Sequence, residues 1–244
     1  MDGKKILVIP DVHLRGWMFD EADRLMTEHG ISQAVCLGDL VDDWGMFMNR
    51  KAYEAVSDKV FEFDDKHPNT LWCYGNHDIS YTWHLLESGY SPYQEAFVET
   101  MISKMRKRMG ERLNFCHMIG KCMFTHAGVT WEFLDFLRYR GFKIRGIQSL
   151  EDVKEIINQC GEAELWRDES PLWVRTTIDE DHRIFTDYDV LQVTGHTPIG
   201  DICVKAEGHM LYCDNFSTIP SGKIVGKREF PVVTDGGEWI MSLK

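Results

Sequence analysis

The sequence has no long hydrophobic run and no excess of basic residues. Among its 244 residues, no apolar run approaches the roughly 20 residues that a transmembrane helix needs. Only five apolar residues lie between Lys5 and Asp11, too few for the hydrophobic part of a secretory signal peptide. The formal net charge of −12 argues against a nucleic-acid duplex or an anionic membrane as the main partner, because such partners need a basic surface. We therefore expect a cytoplasmic protein that binds neither.

Cysteine motifs are missing as well. The seven cysteines are odd in number, and none of them lies at Cys-x-x-Cys spacing. Most of them lie in apolar runs, which is typical of reduced core residues and not of a disulfide or zinc framework. Internal repeats, low-complexity stretches and linkers are also absent, so we expect one domain over residues 1–244.

Apolar strands and amphipathic helices alternate along the first part of the chain. The runs at 6–10, 34–37 and 70–74 are typical of strands that are buried on both faces. Between them, apolar residues recur at helical spacing over 20–30 and 50–66. Further strands are expected at 122–125, 190–194, 210–214 and 224–243, with helical insertions at about 81–120 and 131–189. The pattern predicts an α/β fold with a mixed sheet.

The two insertions contain signals for helix starts. Ser91 and Gln94 fit a capping box with Pro92 in the first turn, which predicts a helix from Ser91 towards Gly110. Ser149 and Asp152 form a similar signal in the second insertion. We expect both helices to flank the sheet region.

Polar residues with metal-binding side chains follow five of the expected strands. They are Asp11 and His13, Asp39 and Asp42, Asn76 and His77, His126, and His196. Strand ends on one edge of a sheet lie close together, so these side chains can converge on one pocket. Carboxylate, imidazole and amide oxygen together suit a divalent cation such as Mn²⁺, Fe²⁺ or Zn²⁺. The set is too large for one ion, and two ions roughly 3.5–4 Å apart can clamp a phosphate and activate a water.

Each of these motifs alone fits a simpler interpretation. A lone Gly-Asp pair is most often a turn that contains an acid, and a lone histidine is most often a hydrogen-bonded core or edge residue. The coincidence of five such motifs at five strand ends argues against that interpretation.

The ordered motifs resemble those of the calcineurin-like metallophosphoesterase superfamily. The series is Asp-x-His, Gly-Asp-x-x-Asp, Gly-Asn-His-Asp, a lone His and Gly-His-Thr, over residues 11–214. Within the superfamily, the chain is most similar to bacterial and phage phosphoprotein (Ser/Thr) phosphatases and to symmetrical dinucleoside tetraphosphatases. Pro198 stands where many phosphodiesterases of the superfamily have a second histidine, and the segment 172–175 is similar to one in the bacterial enzymes. The resemblance implies a four-layer αββα sandwich of two mixed sheets flanked by helices.

The resemblance also implies two divalent metal ions, with Mn²⁺ as the first expectation and Fe or Zn as alternatives. The first ion would be held by Asp11, His13 and Asp39, and the second by Asp39, Asn76, His126 and His196, with Asp39 as the bridge. His77 would remain free of metal and protonate the leaving group, with Asp42 as its partner. Arg175 and Arg15 would bind the substrate.

Two positions depart from the family pattern. Asp43 stands where the phosphoprotein phosphatases commonly have an arginine that grips phosphate, and Asp78 stands where they have glutamate. The first change removes a cation from the expected phosphate clamp, and we expect Arg15 to substitute for it in part.

Three functions stay open at this point. The first is a serine/threonine-type protein phosphatase or general phosphomonoesterase, in which a metal-bridging hydroxide attacks the phosphate ester directly. The second is a dinucleoside tetraphosphatase or another nucleotide phosphohydrolase. The third is a metal-binding scaffold without catalysis, which the presence of both His77 and Asp42 disfavours. The expected partner is a phosphorylated substrate, either a phosphoprotein or a nucleotide.

Overall fold

The computed structural model describes residues 3–144, 148–176 and 182–244, and within them the first sheet has six strands. Their order across the sheet is β11-β10-β1-β2-β3-β4. The strands are β1 (Lys5–Ile9), β2 (Gln33–Cys36), β3 (Leu71–Cys73), β4 (Leu113–Asn114), β10 (Phe230–Thr234) and β11 (Trp239–Leu243). Strands β1 to β4 are parallel, whereas β10 and β11 form an antiparallel pair at one edge. The sheet is therefore mixed, as predicted, and its last two strands are antiparallel.

The second sheet has five strands, in the order β5-β6-β7-β9-β8. They are β5 (Cys116–Ile119), β6 (Cys122–Thr125), β7 (Leu191–Thr194), β8 (Cys203–Lys205) and β9 (Met210–Tyr212). The three central strands are parallel, and the two outer ones are antiparallel to their neighbours.

The two sheets pack face to face. Alternate residues of β1, Ile6 and Val8, share one apolar cluster with Phe124 and Val193 of the second sheet. The intervening β1 residue Leu7 belongs to the other cluster, which contains the helices. Because side chains alternate along a strand, the central strands are buried on both faces, as their apolar runs predict.

The helices lie against the outer faces of the sheets. They are α1 (Trp17–His29), α2 (Arg50–Lys66), α3 (Asn76–Trp83), α4 (Glu95–Met109), α5 (Trp131–Tyr139), α6 (Leu150–Asn158) and α7 (Glu162–Leu165). Trp72 of β3 packs against Phe19 of α1 and Phe63 of α2, with ring centroids 5.6 and 6.2 Å away. On the second sheet, Asn158 of α6 exchanges two hydrogen bonds of 2.9 Å with the backbone of Cys116. The expected α/β fold of two mixed sheets with helices is confirmed.

Two of the predicted helix signals have different outcomes. Ser149 accepts a hydrogen bond from Asp152 N and begins α6, as expected. Ser91 does not begin α4, because its hydroxyl donates to Phe47 O and the helix starts only at Glu95. A tertiary contact has therefore taken the side chain that the local pattern assigns to a cap.

The first insertion is less helical than predicted, since the whole of β4 and β5 lies within it. The assignment of 1–244 to one domain stays a prediction. Every helix in the described ranges is too short or too polar to cross a bilayer.

Candidate metal centre

The side chains that the sequence singled out follow the C-terminal ends of five strands. Asp11 and His13 follow β1, Asp39 and Asp42 follow β2, Asn76 and His77 follow β3, His126 follows β6, and His196 follows β7. His13, Asp39, Asp42, His77 and His196 line one cavity of about 590 Å³, including its open mouth. Asp11, Asn76 and His126 are buried behind them. The structure thus brings the whole predicted set to one site.

Asp39 lies at the centre of this set. Its Oδ2 atom is 3.4 Å from His126 Nε2 and 3.6 Å from His13 Nε2. His126 Nε2 is also 2.9 Å from Asn76 Oδ1 and 3.1 Å from His196 Nδ1. Two groups of ligand atoms therefore meet at one carboxylate, which is the arrangement that a bridging ligand requires.

Backbone carbonyls orient the three histidines of the centre. His13 Nδ1 donates to Asp42 O, His126 Nδ1 to Leu37 O, and His196 Nε2 to Trp173 O, over 2.8, 2.9 and 3.0 Å. In each ring the other nitrogen points towards the neighbourhood of Asp39, where it is the atom that can bind a metal. Such outer hydrogen bonds fix the tautomer of a metal-binding histidine.

The facing nitrogens of His126 and His196 fit a bound cation. Burial and the nearby charges of His126 and Arg175 lower the pKa of His196 well below its usual range, so its Nδ1 atom is an acceptor that faces His126 Nε2. Burial opposes protonation of His126, but the charge of Asp39 outweighs it and raises the pKa of His126 to about 9. A divalent ion at this place would displace a proton from His126, because metal binding removes protons from its ligands.

Asp11 also fits a cation site. Its side chain is completely buried, and its Oδ2 atom has no hydrogen-bond partner among the described residues. Burial, and then the charge of Asp214, raise the pKa of Asp11 well above its usual range. A buried carboxylate with a free oxygen beside a second acid needs a positive partner, and a divalent ion would supply it.

Tight backbone geometry places the two carboxylates. A Cβ atom on Gly75 would lie 2.0 Å from Asp39 Oδ1, and one on Gly195 would lie 2.0 Å from Asp11 Oδ2. Asp39 and His196 have positive φ angles of 48° and 62°, which cost on the order of 1–3 kcal/mol each and persist only where the surroundings impose them. Gly38 also has no space for a side chain. Glycine is therefore required at Gly38, Gly75 and Gly195, because any side chain there would collide with neighbouring atoms of the site.

His77 and Asp42 form the expected pair. His77 Nδ1 lies 3.3 Å from Asp42 Oδ2, and the hydroxyls of Tyr53 and Tyr81 both donate to Asp42 Oδ1 over 2.6 Å. A second acid, Glu87, lies 2.8 Å from the same His77 nitrogen. Burial opposes protonation of His77, but Asp39, Asp42 and Glu87 outweigh it and raise its pKa well above the usual value.

The two arginines predicted to bind substrate lie in different settings. Arg175 lines the cavity, and its Nη1 donates to His196 O over 3.0 Å. Arg15 is not among the residues that line the cavity; it donates to Asp43 Oδ2 over 2.9 Å and also contacts Thr218. Asp43, the family departure, therefore binds the side chain that was expected to replace the missing arginine. The roles of both arginines stay predictions.

Sequence reasoning missed several residues of the site. Glu87, Asp214 and Trp44 all lie at or in contact with the cavity residues. Asp214 follows β9 as the other acids follow their strands, so the same pattern could have found it. No local signal marks Glu87 or Trp44, because each lies in an irregular segment and is placed by tertiary structure.

Comparison with known proteins places this site in a family. The sequence model of the calcineurin-like phosphoesterase family matches residues 4–217, and no match was found among curated proteins. Among solved structures, the chain is similar to Yfce, a phosphoesterase from E. coli, with 13% identity, 98% of each chain covered and a TM-score of 0.38. It is also similar to a dimetal phosphatase from Danio rerio, with 13% identity, 100% of this chain and 99% of that chain covered and a TM-score of 0.42.

A protein from Streptococcus pneumoniae, described as a predicted phosphoesterase, is 12% identical, with 100% of this chain and 96% of that chain covered and a TM-score of 0.32. These structural similarities are distant and carry no further argument. The family match covers most of the chain and includes all five motifs. The chain therefore belongs to the calcineurin-like phosphoesterase family.

Proposed function

We propose that the chain is a metal-dependent phosphoesterase that hydrolyses phosphate monoesters, of the serine/threonine phosphatase or general phosphomonoesterase type. The observation that supports this function is the placement of the His77–Asp42 pair on the same cavity wall as the Asp39-centred ligands. A site that only holds metal has no need of a proton donor beside the ligands.

Two metal ions would be held by the residues around Asp39. Asp11, His13 and Asp39 would bind one ion, and Asp39, Asn76, His126 and His196 the other, with Mn²⁺ preferred and Fe or Zn as alternatives. When bound, such a pair activates a water and withdraws charge from the phosphoryl group.

The protein's own residues would handle the proton and the substrate charge. His77 would hold a proton on Nε2 and donate it to the leaving-group oxygen, while its Nδ1 side is bound by carboxylates. Arg175, on the cavity wall, would donate to the phosphoryl oxygens. The phosphorylated substrate is thus the partner that we propose.

One observation favours a nucleotide as an alternative substrate. Trp44 lines the cavity and is 45% exposed, so it offers an aromatic face beside the site. A nucleobase could stack on it, which would suit a dinucleoside tetraphosphate or another nucleotide.

The test is hydrolysis of four substrates by metal-stripped protein refilled with Mn²⁺. The panel is an aryl phosphomonoester, an aryl phosphodiester, a phosphoserine peptide and diadenosine tetraphosphate, with the Asp39→Asn protein as background. We expect the two monoesters to be hydrolysed fastest. Preference for the dinucleotide would favour the alternative, and two bound metals with no turnover of any substrate would favour a scaffold.

A further inference from the structure

Glu87 is a buried acid in an otherwise exposed segment. It lies between α3 and α4, and its side chain is only 3% exposed, whereas its neighbour Leu86 is 77% exposed. Acids are rarely buried unless they are paired, because a carboxylate loses its hydration inside the protein. The pairing partner of Glu87 is therefore informative.

That partner is His77. Glu87 Oε1 lies 2.8 Å from His77 Nδ1, closer than Asp42 Oδ2 at 3.3 Å. Only the Asp42 contact has the direction of a hydrogen bond. Glu87 Oε1 has no hydrogen-bond partner among the described residues, so its contact with His77 is an ion pair. Two carboxylates therefore lie beside Nδ1 of His77: Asp42 forms a hydrogen bond with it, and Glu87 is the closer negative charge.

The segment that contains Glu87 is fixed to the same group of residues. Tyr81 donates to Asp42 Oδ1 and accepts from Ser91 N over 2.8 Å. Its ring stacks on Tyr90 with centroids 4.3 Å apart. These contacts hold both the acid pair and the loop, so the position of Glu87 relative to His77 is defined by packing.

We propose that Glu87 is a positioning residue for the general acid, which acts through His77 and does not touch the substrate. Its carboxylate holds the imidazole in the rotation that directs Nε2 into the cavity, together with Asp42. This inference rests on the proposed function in one respect, since it takes His77 as the proton donor. It adds that this donor has two acidic partners, one of them supplied by the loop between α3 and α4.

The test compares Glu87→Gln and Glu87→Ala with His77→Asn and the wild type, all loaded with Mn²⁺. Glu99→Gln is the matched control, because Glu99 lies 3.2 Å from His84 in a similar pair outside the cavity. We expect both Glu87 variants to lower kcat for an alkyl phosphate by roughly tenfold, a part of the roughly 10²–10⁴-fold that a general acid contributes. An aryl phosphate with a good leaving group needs little protonation, so its kcat should change less than about twofold. KM and metal content should be unchanged in the Glu87 variants, and kcat of the control protein should equal that of the wild type.

Several results would overturn the proposal. Equal losses with both leaving groups would indicate a general structural effect, and unchanged kcat with both would remove the role altogether. A rise in KM or a loss of metal would place Glu87 in binding instead.

A second measurement is independent of turnover. In ¹⁵N-resolved spectra, the His77 Nδ1–H proton should exchange slowly with water in the wild type and rapidly in Glu87→Ala. The same slow exchange in both proteins would refute the positioning role. If the wild type hydrolyses no phosphoester, the proposed function fails, while this exchange experiment still decides the inference about Glu87.

Discussion

Close contacts with neighbouring residues fix the orientation of the Asp39 carboxylate. Asp39 lies so close to Gly75 that a side chain at position 75 would not fit. The Oδ1 atom of Asp39 accepts a hydrogen bond from His77 N over 3.0 Å. This leaves Oδ2 directed at His13 and His126. Each oxygen of the carboxylate therefore has a separate task, and loss of one oxygen should affect the metals before it affects the fold.

We expect Asp39→Asn to lose at least one of the two metal ions and to lower phosphoesterase activity by roughly 10²-fold or more, since a bridging carboxylate contributes to both ions. Metal content by mass spectrometry and turnover of an aryl phosphate check this. Asp43→Asn is the control. Asp43 is paired with Arg15, so this variant protein should retain both ions. An Asp39→Asn protein that retains two ions would contradict the bridging role.

Residues differ in how far the sequence predicts them. The predicted ligands all follow apolar strands, so the strand pattern together with the edge rule is enough to bring them together. Glu87 has no such link: it lies in an irregular segment, and only the packing of Tyr81 and Tyr90 places it against His77. Arg15 was expected to face substrate, but a local motif does not reveal that Asp43 binds it.

At the scale of elements, strands were predicted better than helix starts. The buried strands β1, β2 and β6 are marked by apolar runs, which depend on burial alone. A helix cap depends on one side chain, and that side chain can be used elsewhere, as Ser91 is in its bond to Phe47 O. The convergence of the strand ends was predictable because it depends on whole apolar runs. The cap was not predictable because it depends on the partner of a single side chain.

One hydrogen bond between strands of the two sheets should make stability depend on pH. His117 of β5 donates from Nε2 to Trp72 O of β3 over 3.0 Å, so it joins the two sheets. Burial lowers the pKa of His117 to about 4. In the unfolded chain the ring takes up a proton below about pH 6.5. The folded state resists that proton, so this group makes the free energy of unfolding fall as the pH drops from 6.5 towards 4.

The measurement is urea unfolding of wild type and His117→Gln at pH 7 and pH 5. The glutamine keeps an N–H donor for Trp72 O but does not titrate. We expect the wild type to lose about 2 kcal/mol more than the variant between these pH values, because each pKa unit corresponds to about 1.4 kcal/mol. Other titrating groups are the same in both proteins and cancel. Parallel pH dependence in the two proteins would refute the contribution of His117.

At the scale of the whole molecule, the fold gathers negative charge at one edge of its two sheets. Asp11, Asp39 and Asp214 are all buried there. Burial is the main cause that raises the pKa of Asp214, as it is for Asp11. The chain as a whole also carries a formal net charge of −12. Divalent ions at the centre would relieve the repulsion and bridge the two sheets, because Asp39 follows a strand of one sheet and His126 a strand of the other.

We therefore expect metal removal to lower the stability of the entire fold. At a Mn²⁺ concentration about 100 times Kd, binding to the folded state adds about 2.7 kcal/mol. For a chain of this size that raises Tm by about 5–10 °C relative to the stripped protein. Calorimetry with and without Mn²⁺ measures the shift, and Asp39→Asn should show a smaller one. An equal Tm for stripped and loaded protein, with binding shown by titration, would mean that the unfolded chain binds the ions as tightly as the folded protein does.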